Sequence, residues 1–115
     1  MDKPKIVHYS QVDVTYPFPD NRRVRMRVLI GENDAPTYLM RLFEVDPGGV
    51  IPRHEHPWEH EIYVLKGKVK VIIGNEEWIV SEGYAIYIPP NVPHEYVNVG
   101  DETAIFICTI PKRKS

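Results

Sequence analysis

The stretch Gly48-Gly49-Val50-Ile51-Pro52-Arg53-His54-Glu55-His56-Pro57-Trp58-Glu59-His60-Glu61 places three of the chain's five histidines within seven residues. A fourth, His94, follows the turn Pro89-Pro90-Asn91-Val92-Pro93. Neutral imidazole is the commonest side-chain ligand for transition metals, so four clustered histidines predict one mononuclear metal site. In an extended segment residues two apart share a face. His54, His56 and His60 have one parity and can be aimed together. Pro57 and Trp58 disturb the alternation, however, and one extra loop residue would present Glu61 instead of His60. Four neutral imidazoles leave the ion its full positive charge and, on a six-coordinate ion, two open positions. Such a centre acts as a Lewis acid or binds an anionic or enolate-like ligand. With Glu61 in the set the site is one unit less positive.

Working outward from this stretch, helical periodicity is nearly absent. Short alternating or apolar runs recur between turn signals, as in an all-β sandwich or barrel. Upstream, Val12 to Thr15 reads as a strand closed by Tyr16-Pro17-Phe18-Pro19. Arg22 to Ile30 alternates, with Arg23, Arg25 and Arg27 on one face and Val24, Met26 and Val28 on the other. Thr37 to Val45 is a strand ended by Asp46-Pro47-Gly48-Gly49. Downstream come Glu61 to Lys66, Lys68 to Ile73, Glu77 to Val80, Tyr84 to Ile88, His94 to Val99 and Thr103 to Ile110. Gly74-Asn75 offers the positive φ of a hairpin turn. Pro111 to Ser115 reads as a loose basic tail.

A length of 115 residues fits one domain, 1–115, with no linker or repeat. The formal net charge of -2 gives no global pull toward nucleic acid or an anionic membrane. The triple-arginine face reads as an edge strand protected by charge rather than as a nucleic-acid stripe. No apolar run approaches the ~18 residues of a membrane-spanning helix, and the N-terminus lacks the apolar core of a secretion signal. The single cysteine, Cys108, excludes an intrachain disulfide. A soluble cytoplasmic protein is expected.

The chain resembles the small single-domain cupins. The family's first motif is Gly, five residues, His-x-His, three or four residues, Glu, and a glycine about six residues on. Gly48, His54, His56, Glu61 and Gly67 match it with one residue fewer before Gly67. The second motif is Gly, five residues, Pro-x-Gly, two residues, His, three residues, Asn. Gly83, Pro89, His94 and Asn98 match it, with Asn91 where glycine is usual, a position that asparagine tolerates at positive φ. The resemblance implies an all-β fold, the double-stranded β-helix or jelly-roll cupin barrel, with a metal-binding core at about 37–110. N-terminal strands within 1–30 are then candidates for a homodimer interface. A subgroup of small cupins shares the Arg-His-x-His-Pro-Trp-Glu-His-Glu stretch and uses a histidine in place of the glutamate. That likeness favours a ligand set of His54, His56, His60 and His94 around one divalent transition metal ion, manganese first, then iron, nickel, copper or zinc.

Around such a centre, Tyr96 shares the parity of His94. Phe106 and Cys108 share one face of the last strand, which the resemblance turns toward the metal. Trp58 is a pocket wall or a packed loop anchor. Arg41, mid-strand among apolar residues, either orients an anionic substrate or lies on an outer sheet face. His8 reads as an ordinary surface residue. The expected function is a metal-dependent oxidoreductase, a dioxygenase-like oxidation of a small organic molecule. Two alternatives stand beside it: a non-redox isomerase or decarboxylase with Glu59 or Glu61 as base, and a non-catalytic module that binds or senses a small molecule.

Overall fold

The structure is a computed structural model and describes residues 3–112. The basic tail residues Arg113 and Lys114 lie outside the described residues. Nine strands follow one another: β1 (Val24–Ile30), β2 (Tyr38–Val45), β3 (Val50–His54), β4 (His60–Lys66), β5 (Lys68–Ile73), β6 (Glu76–Ser81), β7 (Ala85–Ile88), β8 (His94–Asn98) and β9 (Ala104–Pro111). They form a five-stranded sheet in the order β1-β2-β9-β4-β7 and a four-stranded sheet in the order β3-β8-β5-β6, with every pairing antiparallel. The two sheets form the jelly-roll cupin fold, with nine strands among the described residues. Among the described residues no helix is long and apolar enough to cross a membrane. A 3-10 turn, Tyr9–Gln11, is capped by His8, whose Nδ1 accepts from the Ser10 N–H, so His8 has a local structural role.

Period-two patterning sets which residues face inward. On β4, His60, Ile62 and Val64 are buried while Glu61, Tyr63 and Leu65 are exposed. On β9, Ala104, Phe106, Cys108 and Ile110 are buried, and on β8 His94, Tyr96 and Asn98 are. The inner faces meet in one core, where the Phe106 ring lies 5.4 Å from Phe43 and 5.5 Å from Tyr96. Such ring pairs add about 0.5–1.5 kcal/mol beyond the area they bury.

One feature of the N-terminal third differs from the sequence reading. Val12 to Thr15 forms no strand; only Thr15 pairs, through a single bridge to Met26. Pro17 and Pro19 come directly after, and proline donates no ladder hydrogen bond. The N-terminal strands expected within 1–30 therefore reduce to β1. That strand is a sheet edge, and its arginines are paired: Arg25 makes a two-pronged contact with Asp46 at 2.8 and 2.9 Å, and Arg27 reaches Glu44 at 3.1 Å. Between β4 and β5, Gly67 has φ +91, and a Cβ there would lie 2.7 Å from the Ala104 Cα. Only glycine fits that approach.

Candidate metal centre

His54, His56 and His94 converge: one ring nitrogen from each lies within 4.8 Å of the others. His54 reaches this cluster through a defect in β3. The β3–β8 register pairs Ile51 with Tyr96, then slips by one residue so that His54, rather than Arg53, stands opposite His94. An extra residue in one strand reverses the facing of the residues beyond it. The slip turns His54 inward, against His94 with ring centroids 4.3 Å apart. His56 sits in the loop between β3 and β4. The loop is tied down from below by the Asn91 N–H, which donates to the His56 carbonyl at 2.8 Å. Asn91 itself has φ 64, the left-handed conformation that asparagine tolerates. His94 opens β8 directly after that turn.

The three rings are oriented by main-chain carbonyls. The Nδ1–H groups of His54, His56 and His94 donate to the carbonyls of Pro52 (2.7 Å), Trp58 (3.2 Å) and Val92 (2.8 Å). A neutral imidazole that spends its proton on Nδ1 keeps a lone pair on Nε2, which is how ligating histidines are held. The His94 Nε2 is buried and has no hydrogen-bond partner. An unsatisfied buried nitrogen costs ~1–3 kcal/mol, so its convergence with two further imidazoles fits a metal ion. The cluster is compatible with a metal without naming one. Burial pushes His60 down to about 3 and His94 down to about 4; it also lowers His56, an effect the Trp58 carbonyl opposes. These rings are neutral at pH 7, the form that binds metals.

His60 stands beside the trio rather than within it. It is 4% exposed, its Nε2 lies 2.6 Å from the His56 Nε2, and its Nδ1 lies 2.8 Å from the Cys108 Sγ. Its ring is thus steadied by a thiol, a softer partner than a carbonyl. Burial raises the Cys108 pKa, which keeps the thiol protonated. Glu61, the rival of His60 in the sequence, is exposed on the opposite face of β4 beside Tyr63, Tyr87 and Thr109.

A cavity of about 220 Å³ opens beside His54, His56 and His60. All five residues expected around the metal line it: Arg41, Trp58, Tyr96, Phe106 and Cys108. Trp58 walls the cavity and stacks on His56 at 4.3 Å with rings parallel to 1°. Phe18, Met26, Phe43 and Ile51 also line the cavity and were not foreseen. Met26 and Phe43 share the inward parity of Val24 and Arg41, a signal that was readable. Phe18 lies in a proline-flanked loop that carries no such signal. No Asp or Glu is among the lining residues, so Glu59 and Glu61 are not placed as bases there.

The Cupin domain family profile matches residues 41–110. Polyketide synthase CurC of Streptomyces cyaneus is 31% identical over 108 residues, which cover 90% of this chain and 68% of that protein. A glucose-6-phosphate isomerase of Pyrococcus furiosus is 42% identical over 57 residues, covering 44% of this chain and 30% of the isomerase. Among solved structures, the polyketide cyclase RemF from Streptomyces resistomycificus superposes with a TM-score of 0.86 at 34% identity, covering 95% of this chain and 80% of RemF. The chain therefore spans only part of each relative's length.

Proposed function

The chain belongs to the cupin family, and on that basis we propose that it is a metal-dependent enzyme acting on a small carbonyl compound. His54, His56 and His94 would hold one divalent transition metal ion, with His60 as fourth ligand. The buried His94 Nε2, unbonded and converging with His54 and His56, carries this reading. A bound ion supplies positive charge that stabilises the enolate form of a ligand carbonyl. The chain's own residues do the rest. Three main-chain carbonyls fix the ring orientations of His54, His56 and His94, and burial favours the neutral form of His60 and His94. Phe43, Trp58, Tyr96 and Phe106 exclude bulk water from the reacting end of the ligand. Non-redox chemistry of the cyclase or isomerase type is placed first because RemF and the Pyrococcus furiosus protein carry names of that kind. Fold alone would not justify this.

The test is metal content after stripping and competitive reloading with manganese, iron, nickel, copper and zinc. Exchange of the central protons of a β-keto ester in D2O is then followed by NMR. One bound equivalent and an acceleration over the protein-free exchange rate that is lost in His94→Ala support the reading; a wild-type protein that retains no metal overturns it. The dioxygenase-like oxidation stands second, favoured by the aromatic, water-excluding lining. It requires oxygen uptake with manganese or iron and none with zinc. For assembly we propose a homodimer, since Tyr38, Tyr63, Leu65 and Tyr87 are all exposed on the five-stranded sheet. A monomeric mass by light scattering would refute it.

A further inference from the structure

Arg41 is unlike the other arginines of its sheet. It stands on β2, cross-strand from Cys108, and lines the cavity together with His54, His56 and His60. Arg25 and Arg27, on the neighbouring strand, are both matched by carboxylates. Arg41 makes no ion pair among the described residues. Its Nη2 donates to the Cys108 Sγ at 3.4 Å, its guanidinium carbon lies 5.2 Å from the Phe43 ring centroid, and its Nε is buried without a partner. A thiol and a ring face are weak partners for a cation. A guanidinium placed for structural reasons has its donors satisfied, as those of Arg25 are. Arg41 instead presents positive charge to a cavity whose other lining residues carry no carboxylate and are imidazoles, a thiol, a thioether, a phenol, an indole and hydrocarbon. An unmatched charge in apolar surroundings is costly, and the missing counter-charge is what a ligand would bring.

We propose that Arg41 is a substrate-recognition residue, and that the ligand of this cavity carries an anionic oxygen, a carboxylate or a phenolate, which pairs with the guanidinium. This rests on the cavity being the ligand site of the proposed enzyme. The planar fork of arginine suits such oxygens, and the pairing is stronger than a neutral hydrogen bond. The cavity volume of about 220 Å³ restricts the anionic part to roughly one ring in size.

The experiment titrates benzoate, 4-nitrophenolate and the neutral benzamide into metal-free protein by calorimetry. Wild type, Arg41→Met and Arg41→Lys are compared, each checked for folding by thermal melt. Wild type should bind at least one of the anions roughly tenfold tighter than benzamide, a difference of about 1.4 kcal/mol. That preference should vanish in Arg41→Met and persist in Arg41→Lys. Which anion is preferred distinguishes a carboxylate from a phenolate ligand. Equal binding of anions and amide, no binding of either anion to wild type, or an undiminished preference in Arg41→Met would each overturn the proposal. If Arg41→Met fails to fold, Arg41→Gln carries the same comparison. Metal retention is measured separately on the same preparations. A protein that holds no metal but keeps its anion preference refutes the proposed function and not the role of Arg41; the converse result refutes Arg41 alone.

Discussion

His94 and Asn98 are both buried, at 1% and 3% exposure, four residues apart on the inner face of β8, and the fold treats them in opposite ways. Asn98 is fully bonded. Its Nδ2 donates to the carbonyls of Val45 (2.7 Å) and Glu102 (2.8 Å), and its Oδ1 accepts from the Gly100 N–H at 2.8 Å. Its main-chain N–H and carbonyl are taken up by Gly49 and Gly48. His94 has its Nδ1 anchored and its Nε2 unbonded. Buried polar groups are almost always satisfied, and exceptions ask for a cause. At the Asn98 end the polar side chain ties two loops to the barrel, so its value is structural. At the His94 end one nitrogen is withheld from the protein's own bonding, which is expected where a residue serves a ligand rather than the fold.

The sharpest way to break this contrast is to truncate each residue in turn. His94→Ala should lower metal affinity at least about a hundredfold, the upper end of what losing even an outer-sphere partner costs. The metal-free variant loses an unsatisfied nitrogen with the ring and strands only the Val92 carbonyl, so its melt should fall by less than that of Asn98→Ala. A chelator competition series together with urea melts reads both quantities. Unchanged metal affinity would remove His94 from the site. Asn98→Ala should do the reverse, costing about 2 kcal/mol by stranding two carbonyls and one N–H. Its metal affinity should remain within about threefold of wild type, well under the tenfold that 1.4 kcal/mol represents.

A smaller effect separates His60 from the trio. Cys108→Ala removes the contact that steadies the His60 ring and leaves the three carbonyl anchors untouched. If His60 is a ligand, affinity falls by roughly tenfold, as for other outer-sphere losses, and Cys108→Ser restores part of it. If His60 stands outside the metal's reach, chelator competition shows no change.

Much of this was legible in the residues. Alternation in β4, β8 and β9 fixed which side chains face inward, and the two histidine segments marked the cluster. Parity put Tyr96 on the face of His94, where both are buried, but could not choose between the two apolar faces of β9, because Ile105 and Ile107 are as hydrophobic as Phe106. The choice between His60 and Glu61 was also beyond parity. It depends on where β4 begins after an irregular loop, and on the slip in β3 that no composition signal announces. The Arg25–Asp46 and Arg27–Glu44 pairs were hidden for a similar reason, since cross-strand partners are set by register and not by local pattern. The unpaired state of Arg41 could only emerge once those pairs were seen.

The smallest expected effect tests the bonded end through pH. Arg25 donates to Asp46 and holds its carboxyl below the usual range; burial opposes this and the Thr103 hydroxyl, at 3.0 Å, assists. A carboxylate whose folded pKa is depressed contributes stability at pH above its unfolded value of about 3.9, and that stability is lost as the pH falls through the folded pKa. The Asp46 side chain is 35% exposed, so solvent screens the pair. Asp46→Asn should therefore cost no more than about 1 kcal/mol at pH 7. In urea melts the gap between wild type and variant should narrow below pH 4 and shrink further as Asp46 protonates. Added salt should narrow it at pH 7 as well. A gap that stays constant from pH 7 to pH 2 would mean that the Asp46 contribution is packing or neutral hydrogen bonding, and that charge does no more at this end of the barrel than it does at Asn98.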